Sequence, residues 1–434
     1  MKSPLLLAYY GDDFTGSTDA LEFLSRAGAR TALFLAPPTE AVLSRYPDLQ
    51  AMGIAGLTRS LAPKAMAAEL REAFGALRAF GPRHVHYKVC STFDSSPTVG
   101  SIGCAIDVGA EIFRGRYVPL LVAAPELGRY CVFGNLFARM GIGSAGEIFR
   151  LDRHPSMSQH PVTPADEADL RRHLARQTRK RIDLLDVLHV SGLPGLARAE
   201  LRALVASGAE IVLFDALDTQ ELPLIGSMID EQPFSVGSSA VEMALGAHWN
   251  GEQILRKPEG WPDPGPATPL LVVSGSCSPV TAGQIAWAEA NGFAIILFDP
   301  PGSGVPEAAN LAVAELKAGR SAVVCSSRGA AGEPKAAKVL GALLGQVARA
   351  ALERTGARRL VLAGGDTASY ASRALGIEAV EMIAPLAPGA PLCRAFAPGS
   401  PADGLEINFK GGQVGAPDFF GAVARGKVRL TPPS

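Results

Sequence analysis

Residues 5–22 read LLLAYYGDDFTGSTDALE, an apolar run that ends at a glycine and is followed at once by two carboxylates, Asp12 and Asp13. Such a run predicts a buried strand, and the capping-box spacing of Asp19 and Glu22 predicts that a helix begins there. Strand, loop and helix in this order are typical of a parallel sheet. The two carboxylates would then lie at the carboxyl end of a strand, the edge where open α/β sheets bind ligands.

The composition is that of a globular protein without a strong net charge. Of the 434 residues, 47% are hydrophobic and 19% are charged, and 41 basic residues face 42 acidic ones. A net charge of -1 provides no field to attract nucleic acid or an anionic membrane surface. We therefore expect small-molecule ligands and no nucleic-acid or membrane partner.

The start of the chain does not predict export. Lys2 precedes only a short apolar run that stops at two acids, and no run reaches the roughly 18 to 20 apolar residues of a membrane span. The six cysteines form no C-x-x-C pair, which argues against a zinc site or a disulfide framework. We expect a cytoplasmic protein, and the sequence leaves open whether it is a homo-oligomer.

The pattern of strands and helices is interrupted once, by a segment rich in proline and glycine. Residues 1–250 alternate strand-like runs with helical runs such as Pro63–Ala79, and the alternation resumes over residues 270–434. Residues 251–269 suit neither a helix nor a central strand, so we interpret them as a linker. We predict two α/β domains, each with a largely parallel sheet flanked by helices, and an active site in the cleft between them.

Three glycine-rich turns follow strand-like runs of the second domain, at residues 274–278, 364–367 and 410–412. Glycine lets the backbone approach a ligand closely, and a helix N-terminus directs amide groups at it, which suits phosphate. A single turn of this kind is equally well explained as an ordinary strand-to-helix connection. Three in one domain favour a nucleotide site, and its candidate residues are Ser274, Ser276, Gly364, Gly365, Asp366, Thr367, Lys410, Gly411 and Gly412.

In the first domain, residues 84–89 predict a strand with His84, His86 and Lys88 on one face, followed by a hydroxyl-rich loop. A lysine at a strand end can act as a point charge for an anionic substrate, although a surface lysine is nearly as common there. For the two histidines we favour a satisfied polar pair over a metal site, because no third ligand is evident. No metal ligand is assigned.

Asp12 and Asp13 are the candidates for catalysis, because all seven histidines precede the proposed nucleotide domain. A carboxylate can accept the proton of an attacking hydroxyl, or it can help to hold a magnesium ion that bridges phosphates. Neighbouring residues of an extended segment point to opposite sides, so we expect only one carboxylate to meet the hydroxyl. The sequence leaves open which one.

Taken together, these motifs resemble the four-carbon acid sugar kinase family over nearly the whole chain. Residues 11–19 are similar to its DDFTGxxD opening, residues 88–92 to its K-x-x-S-T segment, residues 274–278 to its SGSCS turn and residues 364–367 to its GG(D/E)T turn. The resemblance implies an amino-terminal acid-sugar domain and a carboxy-terminal ATP domain. It implies ATP-dependent phosphorylation of a hydroxyl on a sugar acid such as D-threonate, D-erythronate or 3-oxotetronate.

The resemblance also implies which residues contact each substrate. The implied sugar-acid contacts are Asp12, Asp13, Lys88, Ser91 and Thr92, and we add Thr15 of the opening motif to this set. The implied ATP contacts are Ser276, Gly364 to Thr367 and Gly412, with Mg²⁺ on the phosphates.

One segment departs from the family pattern. Many members read K-x-D-S-T-L-R-G where this chain has KVCSTFDS, so an acid becomes Cys90 and an arginine becomes Asp94. Losing the arginine removes a bidentate clamp for a carboxylate, which leaves a different substrate such as 3-oxo-isoapionate open. Arg59, Arg129 or Arg153 could supply the missing cation, and the sequence does not select among them.

Two other functions are left open by the sequence. A sugar-acid phosphatase with an aspartate nucleophile would use a D-x-D-x-T motif, whereas Asp12 and Asp13 are adjacent. A sugar-acid-binding protein regulated by nucleotide would carry the same motifs without turnover.

Overall fold

The computed structural model describes residues 4–142, 146–160, 162–300, 304–326 and 334–428, with side chains from residue 338 onward in the last range. The chain divides into two compact units. The first unit comprises Met1–Thr31, Ala36–Met140 and Gly146–Pro258, and the second comprises Ala32–Leu35, Gly141–Ala145 and Glu259–Ser434. Each unit has a mostly parallel sheet with helices against it, which confirms the predicted α/β class.

The elements of the described residues are numbered along the chain. The strands are β1 (Leu7–Gly11), β2 (Thr31–Phe34), β3 (Ala51–Ala55), β4 (His84–Lys88), β5 (Val118–Leu121), β6 (Arg129–Val132), β7 (Asn135–Arg139), β8 (Ile148–Arg150), β9 (Ile182–Leu185), β10 (Ile211–Phe214), β11 (Phe234–Gly237), β12 (Leu271–Ser274), β13 (Ala294–Leu297), β14 (Ala322–Cys325), β15 (Arg359–Ala363), β16 (Ala379–Ala384), β17 (Leu392–Phe396) and β18 (Glu406–Lys410). The α-helices are α1 (Phe14–Arg26), α2 (Glu40–Leu43), α3 (Pro63–Ala79), α4 (Ile102–Phe113), α5 (Leu170–Ala175), α6 (Val187–Val190), α7 (Pro194–Ala206), α8 (Leu222–Ile229), α9 (Ala240–Gly251), α10 (Pro279–Ala290), α11 (Val305–Lys317), α12 (Pro334–Thr355), α13 (Gly365–Ala374) and α14 (Phe419–Arg425).

The sheet of the first unit is parallel, in the order β3-β1-β4-β11-β5-β10-β9. Its register aligns the carboxyl ends of the central strands: Gly11 pairs with Ala55 and Lys88, and Lys88 pairs with Gly237. The residues that follow these strands therefore lie along one edge of the sheet. A separate antiparallel sheet, in the order β6-β7-β8, follows β5 in the chain.

Helix α1 begins directly after the first strand, so the predicted start at Asp19 was wrong. Asp13 is the N-cap, since its carboxylate accepts a hydrogen bond from the backbone N–H of Gly16 (2.7 Å). The Ser17 hydroxyl donates to the Asp13 carbonyl (2.6 Å). Because Asp13 caps the helix only two residues after the strand ends, no longer loop separates the two elements. Asp19 and Glu22 therefore lie inside the helix.

The sheet of the second unit is parallel over β13-β14-β12-β15-β18 and antiparallel from β18 through β17 and β16 to β2. Strand β2 comes from the start of the chain: Leu33 pairs with Val380 and Phe34 with Ala379. Residues 32–35 thus belong to the second unit although residues on both sides of them belong to the first. Among the described helices, none combines the length and the apolar character needed to cross a membrane.

A cluster of aromatic side chains lies in the core of the first unit. The Phe234 ring of β11 packs against the rings of Phe74 (5.5 Å between centroids) and Phe113 (5.2 Å). Helix α4 approaches this cluster closely at Gly109, where a Cβ would lie 2.2 Å from the Phe234 ring. Gly75 of α3 offers a contrast, because a Cβ there would meet no atom within 4 Å.

These two helical glycines predict opposite effects of the same substitution on stability. We expect Gly75→Ala to raise the free energy of unfolding by roughly 0.5–1 kcal/mol, because alanine restricts the unfolded chain and fills open space. We expect Gly109→Ala to lower it by roughly 1–3 kcal/mol through overpacking against Phe234. Denaturant unfolding of both variants measures the difference, and equal stabilities would contradict the packing described for α4.

Candidate active site

Arg59 joins the two carboxylates that follow β1. It lies in a short turn, Thr58–Ser60, after β3. Its Nε and Nη2 donate to the two oxygens of Asp12 (3.1 and 2.7 Å), and its Nη1 donates to Asp13 (2.7 Å). Both carboxylates therefore converge on one guanidinium, although we expected them to point to opposite sides. We call these three residues the Arg59 fork.

The two carboxylates of the Arg59 fork differ in exposure. The Asp12 side chain is 4% exposed and the Asp13 side chain is 18% exposed. Burial raises the pKa of the Asp12 carboxyl, and the charge of Arg59 acts in the opposite direction. Asp13 also caps α1 and accepts a hydrogen bond from the Thr15 hydroxyl (3.1 Å). Asp13 is thus the carboxylate that a ligand at this edge can reach.

Lys88 ends β4 and is buried, not a surface lysine. Its Nζ donates to the carbonyl of Val89 (2.9 Å). It lies over the first turn of α1, because a Cβ on Gly16 would be 2.9 Å from Nζ and 2.6 Å from the Asp13 carboxylate. The glycine allows the lysine to approach the Arg59 fork.

Asp19 lies close enough to Lys88 and Asp13 to interact with their charges, and we call Asp12, Asp13, Asp19, Arg59 and Lys88 the charged edge. Asp19 ends the DDFTGxxD motif, but from the sequence we assigned it no ligand contact. It lies on α1 and accepts a hydrogen bond from the Ser239 hydroxyl (3.1 Å). Its second oxygen is buried and has no hydrogen-bond partner among the described residues. Burial raises the pKa of Asp19 to about 6, and the Lys88 charge opposes this rise. Because α1 begins at Phe14 and not at Asp19, Asp19 lies inside the helix, about two turns from the Arg59 fork.

The two histidines of β4 use both ring nitrogens inside the protein. The nitrogens of His84 contact the Gln232 carbonyl and the Ser235 hydroxyl, each at 2.7 Å. Those of His86 contact Glu242 (2.5 Å) and the Gly237 carbonyl (3.2 Å). This is the satisfied polar arrangement that we favoured. Within the described residues, no three His, Cys, Asp or Glu side chains form a group that could hold a metal ion.

The loop after β4 carries hydroxyls that are largely buried. Ser91 and Thr92 are each 7% exposed. The Thr92 hydroxyl donates to Asp94 (2.7 Å) and contacts the Cys90 sulfur (2.9 Å). Burial and the Asp94 charge raise the pKa of Cys90 to about 11, so this position carries a neutral thiol.

In the second unit, the three glycine turns meet in space. They follow β12, β15 and β18, which are neighbouring parallel strands. The Gly275 N–H donates to the Thr367 hydroxyl (3.1 Å), and the Gly364 N–H donates to the Lys410 carbonyl (2.8 Å). Because the turns also begin α10 and α13, two helix N-termini start at this edge. The arrangement suits an anion such as a phosphate chain.

Side-chain bulk is excluded from this edge. Gly364 has a φ of 110°, and a Cβ there would lie 3.3 Å from the backbone nitrogen of Ser276. A Cβ on Gly412 would lie 3.3 Å from the Ser276 hydroxyl. Ser274 is buried, and its hydroxyl accepts a hydrogen bond from the Ser276 N–H (3.4 Å). Asp366 is exposed in the first turn of α13. We call the three turns that follow β12, β15 and β18 the glycine cradle.

Lys410 is oriented differently from what its place beside two glycines suggested. It is fully buried, and its amine donates to the Thr281 hydroxyl (2.9 Å) and the Gly411 carbonyl (2.8 Å). The Thr281 hydroxyl in turn donates to the Gly412 carbonyl (3.1 Å). Burial lowers the pKa of Lys410 to about 7. Lys410 therefore supports the turn from inside, and Thr281 is a contributor that the sequence analysis did not identify.

Comparison with known proteins divides the chain in the same order. A family model described as a sugar-binding N-terminal domain matches residues 7–245, and one described as a nucleotide-binding C-terminal domain matches residues 271–420. A 3-oxo-isoapionate kinase of Paraburkholderia graminis is 44% identical over 98% of this chain and 95% of its own length. A 3-oxo-tetronate kinase of Methylobacterium radiotolerans is 32% identical, over 96% of this chain and 98% of its own.

Solved structures share the fold over almost the full length. A Salmonella typhimurium LT2 protein provisionally named a tRNA synthase has a TM-score of 0.78 at 25% identity, covering 98% of this chain and 100% of its own. A Haemophilus influenzae protein from a family of unknown function has a TM-score of 0.71 at 22% identity, covering 96% and 98%. With both domain models matched and relatives aligned from end to end, this chain belongs to the four-carbon acid sugar kinase family.

Proposed function

We propose that this protein transfers the γ-phosphoryl group of ATP to a hydroxyl of a small 3-oxo sugar acid, with 3-oxo-isoapionate as the preferred acceptor. The observation that carries the proposal is the 44% identity to a 3-oxo-isoapionate kinase over 98% of the chain. The 32% identity to a 3-oxo-tetronate kinase makes a four-carbon acid the second candidate. We assign the reaction to the cytoplasm, where ATP is available.

The charged edge of the first unit is the proposed acceptor site. Asp13 is the more exposed carboxylate and receives the proton of the attacking hydroxyl or orients that hydroxyl. Asp12 is held at both oxygens by Arg59 and positions the fork rather than reacting. Lys88 supplies positive charge beside Asp13. Three hydroxyl side chains complete the proposed set, namely Thr15, Ser91 and Thr92.

The glycine cradle is the proposed triphosphate site. Gly364 and Gly412 leave room for phosphate oxygens beside Ser276, and two helix N-termini favour negative charge there. The cradle also carries a carboxylate, and Mg²⁺ in phosphate sites takes one or two carboxylates and completes its shell with phosphates and water. Asp366 is exposed in the first turn of α13 and would hold the ion, which when bound offsets charge on the phosphates.

The Arg59 fork favours a kinase over a phosphatase of the aspartate-nucleophile type. A nucleophilic carboxylate needs an oxygen free to attack phosphorus. Both oxygens of Asp12 accept hydrogen bonds from Arg59, and Asp13 accepts from Arg59, Thr15 and the N–H of Gly16. These bonds withdraw electron density from both carboxylates, and the two aspartates are adjacent, whereas a D-x-D-x-T phosphatase spaces its two aspartates two positions apart; both features favour the kinase.

The activity is tested by measuring ADP release with ATP, Mg²⁺ and a panel of acids. The panel holds 3-oxo-isoapionate, 3-oxotetronate, D-threonate and D-erythronate. We expect the highest kcat/KM with 3-oxo-isoapionate and a phosphorylated acid as product. Absence of sugar-acid-dependent ADP release with every member would contradict the proposal, and hydrolysis of a phosphorylated acid without nucleotide would support the phosphatase instead.

Replacing Asp13 separates an enzyme from a nucleotide-regulated binding protein. We expect Asp13→Asn to lower kcat by about 10²- to 10⁴-fold, because the amide cannot accept the proton. Stabilisation by the sugar acid in a thermal shift assay should persist. Asp48→Asn is the matched control, since Asp48 is an exposed acid paired with Arg30. Unchanged turnover in Asp13→Asn would remove this residue from the proposed chemistry.

Replacing Gly364 tests the cradle. We expect Gly364→Ala to raise the KM for ATP by about tenfold or more and to leave the KM for the sugar acid unchanged, because the methyl group crowds Ser276 and the backbone resists a φ of 110°. Gly356→Ala is the control: its φ is also positive, at 63°, but a Cβ there meets nothing within 4 Å. Steady-state kinetics of both variants suffice, and equal ATP KM values would count against the cradle.

A further inference from the structure

Arg129 lies at the same edge of the first unit as the proposed acceptor site. It is the first residue of β6, which follows the carboxyl end of β5 through a short turn, Pro125–Leu127. Strand β5 is parallel to β11, and β11 is parallel to β4, the strand that ends in Lys88. Only 4% of Arg129 is exposed. A full positive charge is thus buried beside the proposed site.

The hydrogen bonds of Arg129 leave one side of the guanidinium unused. Within the described residues, all of its side-chain hydrogen bonds come from Nη1, to the carbonyls of Leu127 (3.2 Å), Gly128 (3.3 Å) and Arg139 (3.1 Å). Its Nε is buried and has no hydrogen-bond partner in the described part of the chain. No described carboxylate forms an ion pair with it. A buried charge of this kind is costly unless an opposite charge compensates it.

Two other arginines show what normally occupies that side. Arg359, the other arginine buried in the described part of the chain, donates from Nε and Nη2 to Glu406 (2.9 and 2.6 Å). Arg59 donates from the same two nitrogens to Asp12. In both cases a carboxylate fills the Nε and Nη2 side, which matches carboxylate geometry. In Arg129 the corresponding Nε has no such partner among the described residues.

Arg129 lies close to the hydroxyl-rich loop that follows β4. Burial lowers the pKa of the Arg129 guanidinium, and the nearby carboxylates of Asp94 and Asp19 act in the opposite direction. Asp94 is already bonded to Thr92, and Asp19 is bonded to Ser239. These groups are close enough to act on Arg129 electrostatically but do not pair with it.

Of the three arginines that could replace the missing clamp, only Arg129 is both buried and without a carboxylate partner among the described residues. Arg59 is held by Asp12 and Asp13, and Arg153 is exposed in the turn Leu151–Arg153. We infer that the Nε side of Arg129 binds the carboxylate of the sugar acid and makes the protein select acids over neutral sugars. This inference rests on the proposed function, and it assigns the specificity for a carboxylate to one residue.

The test compares the best acid of the panel with its primary amide, which keeps the hydroxyls and removes the charge. In the wild-type protein we expect the acid to be favoured strongly in kcat/KM. Arg129→Lys keeps a charge but loses the fork, so we expect the KM for the acid to rise by about 10- to 100-fold. The KM for the amide and the KM for ATP should stay within about twofold. Arg129→Gln should lose the preference for the acid altogether.

Arg153→Gln is the control and should behave as the wild type. Circular dichroism and thermal unfolding identify a variant that fails to fold, and Arg129→Lys, which can still donate to the loop carbonyls, serves if Arg129→Gln does not fold. A folded Arg129→Lys protein that keeps the wild-type preference for acid over amide overturns the inference while leaving the kinase activity in place. A wild-type protein without sugar-acid-dependent ADP release would instead remove the proposed function itself.

Discussion

The contact of one guanidinium with two adjacent carboxylates is the interaction on which the candidate site depends. Asp12 and Asp13 would repel each other at the end of β1, and Arg59 compensates both charges while it fixes their directions. Asp13 also caps α1, so the same carboxylate sets the start of the helix. Helix α1 in turn carries Asp19 to the same edge and leaves space for Lys88 above Gly16.

Both units place their candidate residues by the same device, an aligned set of parallel strand ends, but they line those ends with different chemistry. The first unit collects buried charges and hydroxyls, which can discriminate a small polar acid by specific hydrogen bonds. The second unit collects glycines and helix N-termini, which bind phosphate through the backbone and need little side-chain specificity. Lys410 and Thr281 support those turns from inside the fold.

The sequence predicted correctly those features that are determined by residues close to one another in the chain. The helix Pro63–Ala79 has the predicted bounds because its proline start and glycine stop are encoded next to it. The glycine turns could likewise be predicted from their composition. The capping box at Asp19 misled because a stronger cap, Asp13, lies upstream. Features that depend on register or on distant segments had no local signal. These are the contact of Arg59 with Asp12, the place of β2 in the second unit, and the lack of a partner for Arg129 Nε among the described residues.

If the charged edge binds the sugar acid and the glycine cradle binds the nucleotide, each ligand should protect a different part of the chain. Hydrogen–deuterium exchange with each ligand added alone measures this protection. We expect the acid to slow amide exchange in residues 12–26 and 88–95, and a non-hydrolysable ATP analogue to slow exchange in residues 274–290 and 364–374. Protection of the first set by the ATP analogue, with the second set unchanged, would rule this assignment out.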